Sequence, residues 1–143
     1  MRRNVGGWEI ACAAVLLLAV LLACGSSGTL VAKRSVVEPP GARVTLVECD
    51  GDILKFLVQN LTPEPMVILR DEITLRTAQT TLRRDPGGVS NVYNVPPYGA
   101  HDVNVRFDVS GMQSGASAEV HFTGAILLSG RAIPVDPILV QRQ

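Results

Sequence analysis

The chain reads as an all-β protein, an antiparallel immunoglobulin-like β-sandwich of seven or eight short strands behind a helical leader and a flexible tether. Three observations lead there. Val103, Val105, Phe107 and Val109 alternate strictly with Asp102, Asn104, Arg106 and Asp108, the period-2 pattern of a half-buried strand. Turn-forming clusters, among them Asp50-Gly51, Pro96-Pro97-Tyr98-Gly99 and Ser129-Gly130, punctuate the chain every 8 to 15 residues, the rhythm of a sandwich. Beyond the leader, no stretch repeats apolar residues at the spacing of a long amphipathic helix. The Cys…Trp…Cys signature of true immunoglobulin domains is absent, so "immunoglobulin-like" describes architecture only.

The leader comes first. Arg2 and Arg3 form a positive n-region, and Ile10 to Ala23 is an uncharged run of 14 residues. That length suits a signal-peptide h-region and is short of the roughly 20 residues a membrane span needs. The run ends at Leu21-Leu22-Ala23-Cys24, which resembles the lipobox of bacterial lipoproteins. The resemblance implies a diacylglycerol on the Cys24 thiol, cleavage before Cys24 and acylation (palmitate or a similar chain) of the new amine. Two or three acyl chains hold a protein on a membrane where one does so only marginally. Gly25, rather than Asp, follows Cys24; in a Gram-negative host the resemblance then implies the periplasmic face of the outer membrane.

Residues 1–23 are therefore read as the signal peptide, 24–42 as the tether and 43–143 as the folded domain. Gly25-Ser26-Ser27-Gly28 is coil-forming and Glu38-Pro39-Pro40-Gly41 is a stiff break; as a coil, this tether would average roughly 25 Å. The 120 residues after the cut suffice for one core. They carry eleven basic and twelve acidic side chains once Arg2, Arg3 and Glu9 are removed. That balance excludes a nucleic-acid footprint or a polybasic membrane patch. With Cys12 in the leader and Cys24 acylated, Cys49 has no partner, and it is read as a small buried hydrophobe.

The strands follow in order. Val44 to Cys49, Asp50-Gly51 and the run from Ile53 to Gln59 form a hairpin. Asn60 to Pro65 is a connector. Val67 to Arg76 alternates cleanly except at Asp71, which falls in the inward phase and predicts a bulge. Thr80 to Arg84 and Val89 to Val95 are short runs flanking the turn Asp85-Pro86-Gly87-Gly88. The alternation at 102–109 is followed by a polar loop, 110–117, and resumes over Ala118 to Leu128. Arg131 to Val140 closes the domain; Pro134 and Pro137 place this last strand at an edge or on a bulge.

The order Phe56-Leu57-Val58-Gln59-Asn60-Leu61-Thr62-Pro63, an alternating strand, Val95-Pro96-Pro97-Tyr98-Gly99 and Val103 to Val109 is similar to that of small exported bacterial sandwiches. These are the telokin-like extracellular domains and the water-stress domain of the late-embryogenesis-abundant type. Neither resemblance implies a catalytic site.

No catalytic set emerges. His101 and Asp102 are adjacent, so on one strand they face opposite ways, and no nucleophile is placed near either histidine. His101, Met112 and His121 are the candidate metal ligands, since His101 and Met112 partly match a periplasmic copper-chaperone spacing. Asp50-Gly51-Asp52 offers too few carboxylates for a calcium loop. Asn60-Leu61-Thr62 matches a glycosylation sequon, which means little in a bacterial host. Arg70, Arg76, Arg83 and Arg84 are read as solvated face charges. The expected protein is a lipid-anchored, non-catalytic envelope module without a cofactor. It would touch the membrane through Cys24 and a protein partner through loops 85–91 and 110–117 or the edge near Pro134–Pro137. The alternatives are copper handling and stress protection.

Overall fold

A computed structural model of the chain describes residues 29–33, 35–85 and 90–143. The leader, Cys24 and the Gly-Ser segment lie outside the described residues, as do Pro86 to Val89.

The hairpin is the most regular part of the molecule. Strand β3 (Ala42–Asp50) pairs antiparallel with β4 (Ile53–Asn60) around the two-residue loop Gly51-Asp52. β4 buries Leu54, Phe56, Val58 and Asn60 on one face. Ala42, Val44 and Leu46 match that face from β3, and then the register shifts between Leu46 and Glu48. Val47 bulges into solvent, half exposed, and Cys49 regains the inward side opposite Leu54. Strand β2 (Val36–Val37) flanks β3, and β9 (Ala100–Arg106) flanks β4. This front layer has the order β2-β3-β4-β9.

The back layer comes in two segments. Strand β5 (Met66–Leu69) ends in a 3₁₀ turn over Arg70–Glu72, and β6 (Thr74–Arg76) follows. Strand β10 (Ser117–His121) is likewise separated from β11 (Ile126–Leu128), and β12 (Arg131–Ala132) from β13 (Ile138–Arg142). With β1 (Leu30–Ala32), β7 (Thr81–Arg83) and β8 (Val92–Val95), the orders are β1-β13-β10-β6-β7 and β12-β11-β5-β8. Three predicted long strands thus break at one level and pass from one segment to the other. The break is closed by backbone bonds from Leu69 to Ala125 (2.7 Å) and from Arg70 to Asn91 (2.8 Å). All pairings are antiparallel, and the layers share one core in which Phe56 meets Phe122 edge to face at 5.2 Å. The architecture is the predicted antiparallel β-sandwich.

Several expectations need correction. The eight predicted runs are all strands, but three are broken in two and two more strands precede them, which makes thirteen among the described residues. Asp71 marks a 3₁₀ turn that carries the chain between segments, not a bulge. The last run, Arg131 to Val140, is split: β12 is an edge strand of its sheet, as expected, but β13 is not. Pro134 and Pro137 occupy the crossover between β12 and β13, and β13 lies inside its sheet between β1 and β10. The fold also starts before Arg43: β1 pairs with β13, and Leu30 and Val37 are fully buried. Residues 30–32 and 36–42, expected in the tether, therefore belong to the folded domain.

Candidate functional site

A cleft of about 550 Å³ lies at the end of the sandwich where the chain joins the fold. Leu30 N–H donates to Gly51 O and Gln143 N–H donates to Thr29 O, so both ends of the described chain meet here. One wall of the cleft is the β6–β7 loop, residues 77–80, and the other is the segment 108–117. Thr77 shapes the first wall. Its hydroxyl accepts from the N–H groups of Gln79 (3.2 Å) and Thr80 (3.0 Å) and donates to Thr80 O (3.0 Å). A hydroxyl bonding to backbone two and three residues on replaces ladder bonds and holds the four-residue loop rigid.

The second wall hangs on the last strand. Arg142 Nη1 donates to the carbonyls of Val109 (2.9 Å), Ser110 (3.2 Å) and Met112. Gln141 Nε2 donates to Gly115 O (2.8 Å), and the backbone of Arg142 pairs with Gly115 and Ala116. Asp108 accepts from the hydroxyl of Ser110 (2.6 Å) and from its N–H (3.1 Å). Those bonds, the hydroxyl's first, hold the Asp108 carboxyl below its ordinary range. The floor is apolar, with Leu82, Met112 and Ala116, and the rim carries Gln79, Gln113 and Ser117. Such a lining takes up a side chain or a short ligand segment by shape and hydrogen bonds.

The predicted metal ligands do not come together. His101 begins β9 opposite Val58, whereas Met112 lies beyond the far end of that strand, in the core at 8% exposure. The seven residues from His101 to Asp108 span about 23 Å at strand rise. His121 sits on β10 in the other layer, bonded to Glu119 at 2.8 Å. His101 instead packs its ring on Tyr93 (centroids 4.6 Å apart) and donates from Nδ1 to Asp102 O (2.7 Å). Among the described residues, no group of three His, Cys, Asp or Glu side chains is placed to hold a metal ion. His101 and Met112 are thus held apart by about the length of one strand, and His121 lies in the other layer.

Cys49 is half-buried and packs against the core. Burial pushes its thiol up, against a hydrogen bond from the Ala32 backbone that lowers it. The lipidation candidate Cys24 lies outside the described residues.

Two expected surface groups are not on the surface. Arg70 is buried and reaches Asn104 O at 3.4 Å. The Arg84 side chain is 7% exposed, ion-paired with Asp71 and bonded to the Asn91 side chain and to Asp85 O. Arg76 and Arg83 are exposed as expected.

The sequon asparagine is the most important residue that sequence reasoning passed over. Asn60 is 1% exposed. Its Nδ2 donates to Glu64 O (2.7 Å) and Pro96 O (3.2 Å), and its Oδ1 accepts from the N–H (3.0 Å) and hydroxyl (2.8 Å) of Thr62. Both amide hydrogens are engaged, so no glycan can be attached to the folded protein here. An Asn followed by Thr two residues on, at the end of a strand, was the readable signal for an Asx turn.

Compared with known proteins, the chain matches no family model, and no curated protein or solved structure is similar to it.

Proposed function

We propose that this chain is a lipid-anchored lipoprotein of the bacterial cell envelope, whose sandwich serves as a non-catalytic protein-binding or structural module. The observation that carries the reading is the run Ile10 to Ala23 closed by Leu21-Leu22-Ala23-Cys24, only six residues before Leu30. From Cys24 to Thr29 the chain can span at most about 18 Å. An anchor at Cys24 would thus keep the cleft end of the sandwich close to the bilayer, with the opposite end directed away.

The test is metabolic labelling with palmitate of cells producing the wild-type chain and Cys24→Ser. The wild type should carry label in the envelope fraction, and the variant should be unlabelled and retain its leader. Label on the variant, or none on the wild type, would sink the anchor.

A further inference from the structure

Both walls of the cleft use their main chain internally. In the first, the N–H groups of Gln79 and Thr80 donate to the Thr77 hydroxyl, and Thr80 O accepts from that hydroxyl and from Thr77 N–H (2.8 Å). In the second, the carbonyls of Val109, Ser110, Met112 and Gly115 accept from the side chains of Arg142 and Gln141. Met112 N–H donates to Val109 O (3.0 Å), and Ala116 N–H donates to Gln113 O (3.0 Å). A peptide that adds itself as a strand needs free donors and acceptors along an edge. Here those groups are already engaged.

Charge does not select a headgroup either. Asp108 is the one ionisable side chain of the lining, and its carboxylate is held by Ser110. Around the rim the charges offset one another. Lys33 Nζ donates to Ser117 Oγ (3.4 Å), Arg76 stands opposite Glu119 in the ladder, and at the adjoining hairpin turn Arg106 pairs with Asp52 (3.3 Å) beside the exposed Asp50. Arg142 is turned to the carbonyls of the wall. Among the described residues this end therefore has no excess of positive charge to meet a phosphate or carboxylate headgroup. What faces the cleft is an apolar floor of Leu82, Met112 and Ala116, which fits an uncharged hydrocarbon occupant.

The chain itself brings such an occupant within reach. Leu30 lies opposite Arg142 on β13, and Arg142 N–H donates to Ala116 O (2.9 Å). Two strand spacings, about 10 Å, therefore separate the start of the fold from the cleft lining. The span from Cys24 to Thr29 is at most about 18 Å, which covers that distance. The diacylglycerol and amide-linked acyl chain expected at Cys24 carry no phosphate and no other charge. We propose that the cleft seats one acyl chain of the lipid on Cys24 when the protein stands off a bilayer, so that this chain is buried in protein and not exposed to water. The short tether makes its capture intramolecular, which favours it over any free lipid. The inference rests on the proposed anchor at Cys24 and gives the cleft its ligand.

The test uses the full chain made in a bacterial host fed palmitate with a diazirine near its methyl end, then purified and freed of detergent. Irradiation should join the lipid on Cys24 to residues 77–82 or 108–117 of the same chain, read by mass spectrometry as internally linked peptides. Gly111→Trp places a large side chain in the cleft, and a Cβ at Gly111 meets nothing within 4 Å. It should reduce those links at least tenfold and leave the melting temperature unchanged. Gln113→Trp, at the exposed rim, is the second variant and should act in the same direction. Links scattered over the sandwich, links only to a second copy of the chain, phospholipid adducts alone, links unaffected by both variants, or no links at all would each overturn the seat. Palmitate labelling separates the two readings. An unlabelled Cys24 removes the anchor and the seat together, whereas a labelled Cys24 without cleft links removes the seat and keeps the anchor.

Discussion

Asn60 shows how much one side chain can organise when all its hydrogen-bonding positions are used. It ends β4, closes the 60–65 connector and ties the 96–99 turn to it. Asn60→Ala removes the donor for two backbone carbonyls and the acceptor for one backbone N–H. At about 1 kcal/mol each, the expected loss is about 3 kcal/mol, read from urea unfolding. Asn60→Asp keeps the acceptors but turns a carboxylate toward both carbonyls, and should be no more stable than the alanine variant. At the other end, the lowered Asp108 carboxyl contributes stability that is present above its unfolded value. That contribution is lost as pH falls through the lowered folded value. Asp108→Asn should therefore flatten the acid limb of the urea midpoint plotted from about pH 6 to about pH 2.5. An unchanged acid limb would mean that the Ser110 bonds do not persist in solution.

At the scale of elements, irregularities do the positioning. The bulge at Val47 sets two residues of β3 against Lys55, and it returns Cys49 to the core side. In a ladder without it, Glu48 would meet Leu54. Deleting one residue from a strand ordinarily flips every side chain beyond it. Deleting Val47 should instead regularise the ladder, keep Cys49 opposite Leu54 and change stability by no more than about 1 kcal/mol. Unfolding and the alkylation rate of Cys49 both check this; a thiol that becomes fast-reacting would show that the register slipped. The edge strand β9 is guarded in another way. Three alternate carbonyls, those of Asp102, Asn104 and Arg106, accept from His101, Arg70 and the Asp85 N–H. That occupies the edge a neighbouring strand would otherwise pair with.

For the whole molecule, the short segment β1 matters beyond its length. Leu30 is fully buried, and β1 covers the outer side of β13, whose Arg142 in turn holds the wall of the cleft. Leu30→Ala should cost about 3 kcal/mol and raise amide exchange in residues 109–116, which Arg142 pins. A thermal melt with exchange read by mass spectrometry measures both. The same strand brings the start of the fold to within six residues of Cys24. The sandwich thereby has its cleft end near the proposed anchor.

The local pattern of the chain was sufficient for the all-β class, for eight strand runs, for the hairpin expected at Asp50-Gly51, whose loop falls one residue later at Gly51-Asp52, and for the one at Ser129-Gly130. Ser129 and Gly130 both take positive φ, as a two-residue turn of this kind demands. Those features depend on side-chain alternation and turn chemistry within a few residues. The inclusion of β1 and β2, the division of three strands between segments, and the burial of Arg70, Arg84 and Asn60 depend on partners tens of residues away, which local pattern does not record. The same is true of the candidate sites. The sequence showed that His101 and Met112 were eleven residues apart. Only the tertiary structure placed that pair at opposite ends of a strand and brought loop 77–80 and segment 108–117 together as one cleft, because an antiparallel sandwich returns distant loops to the same end.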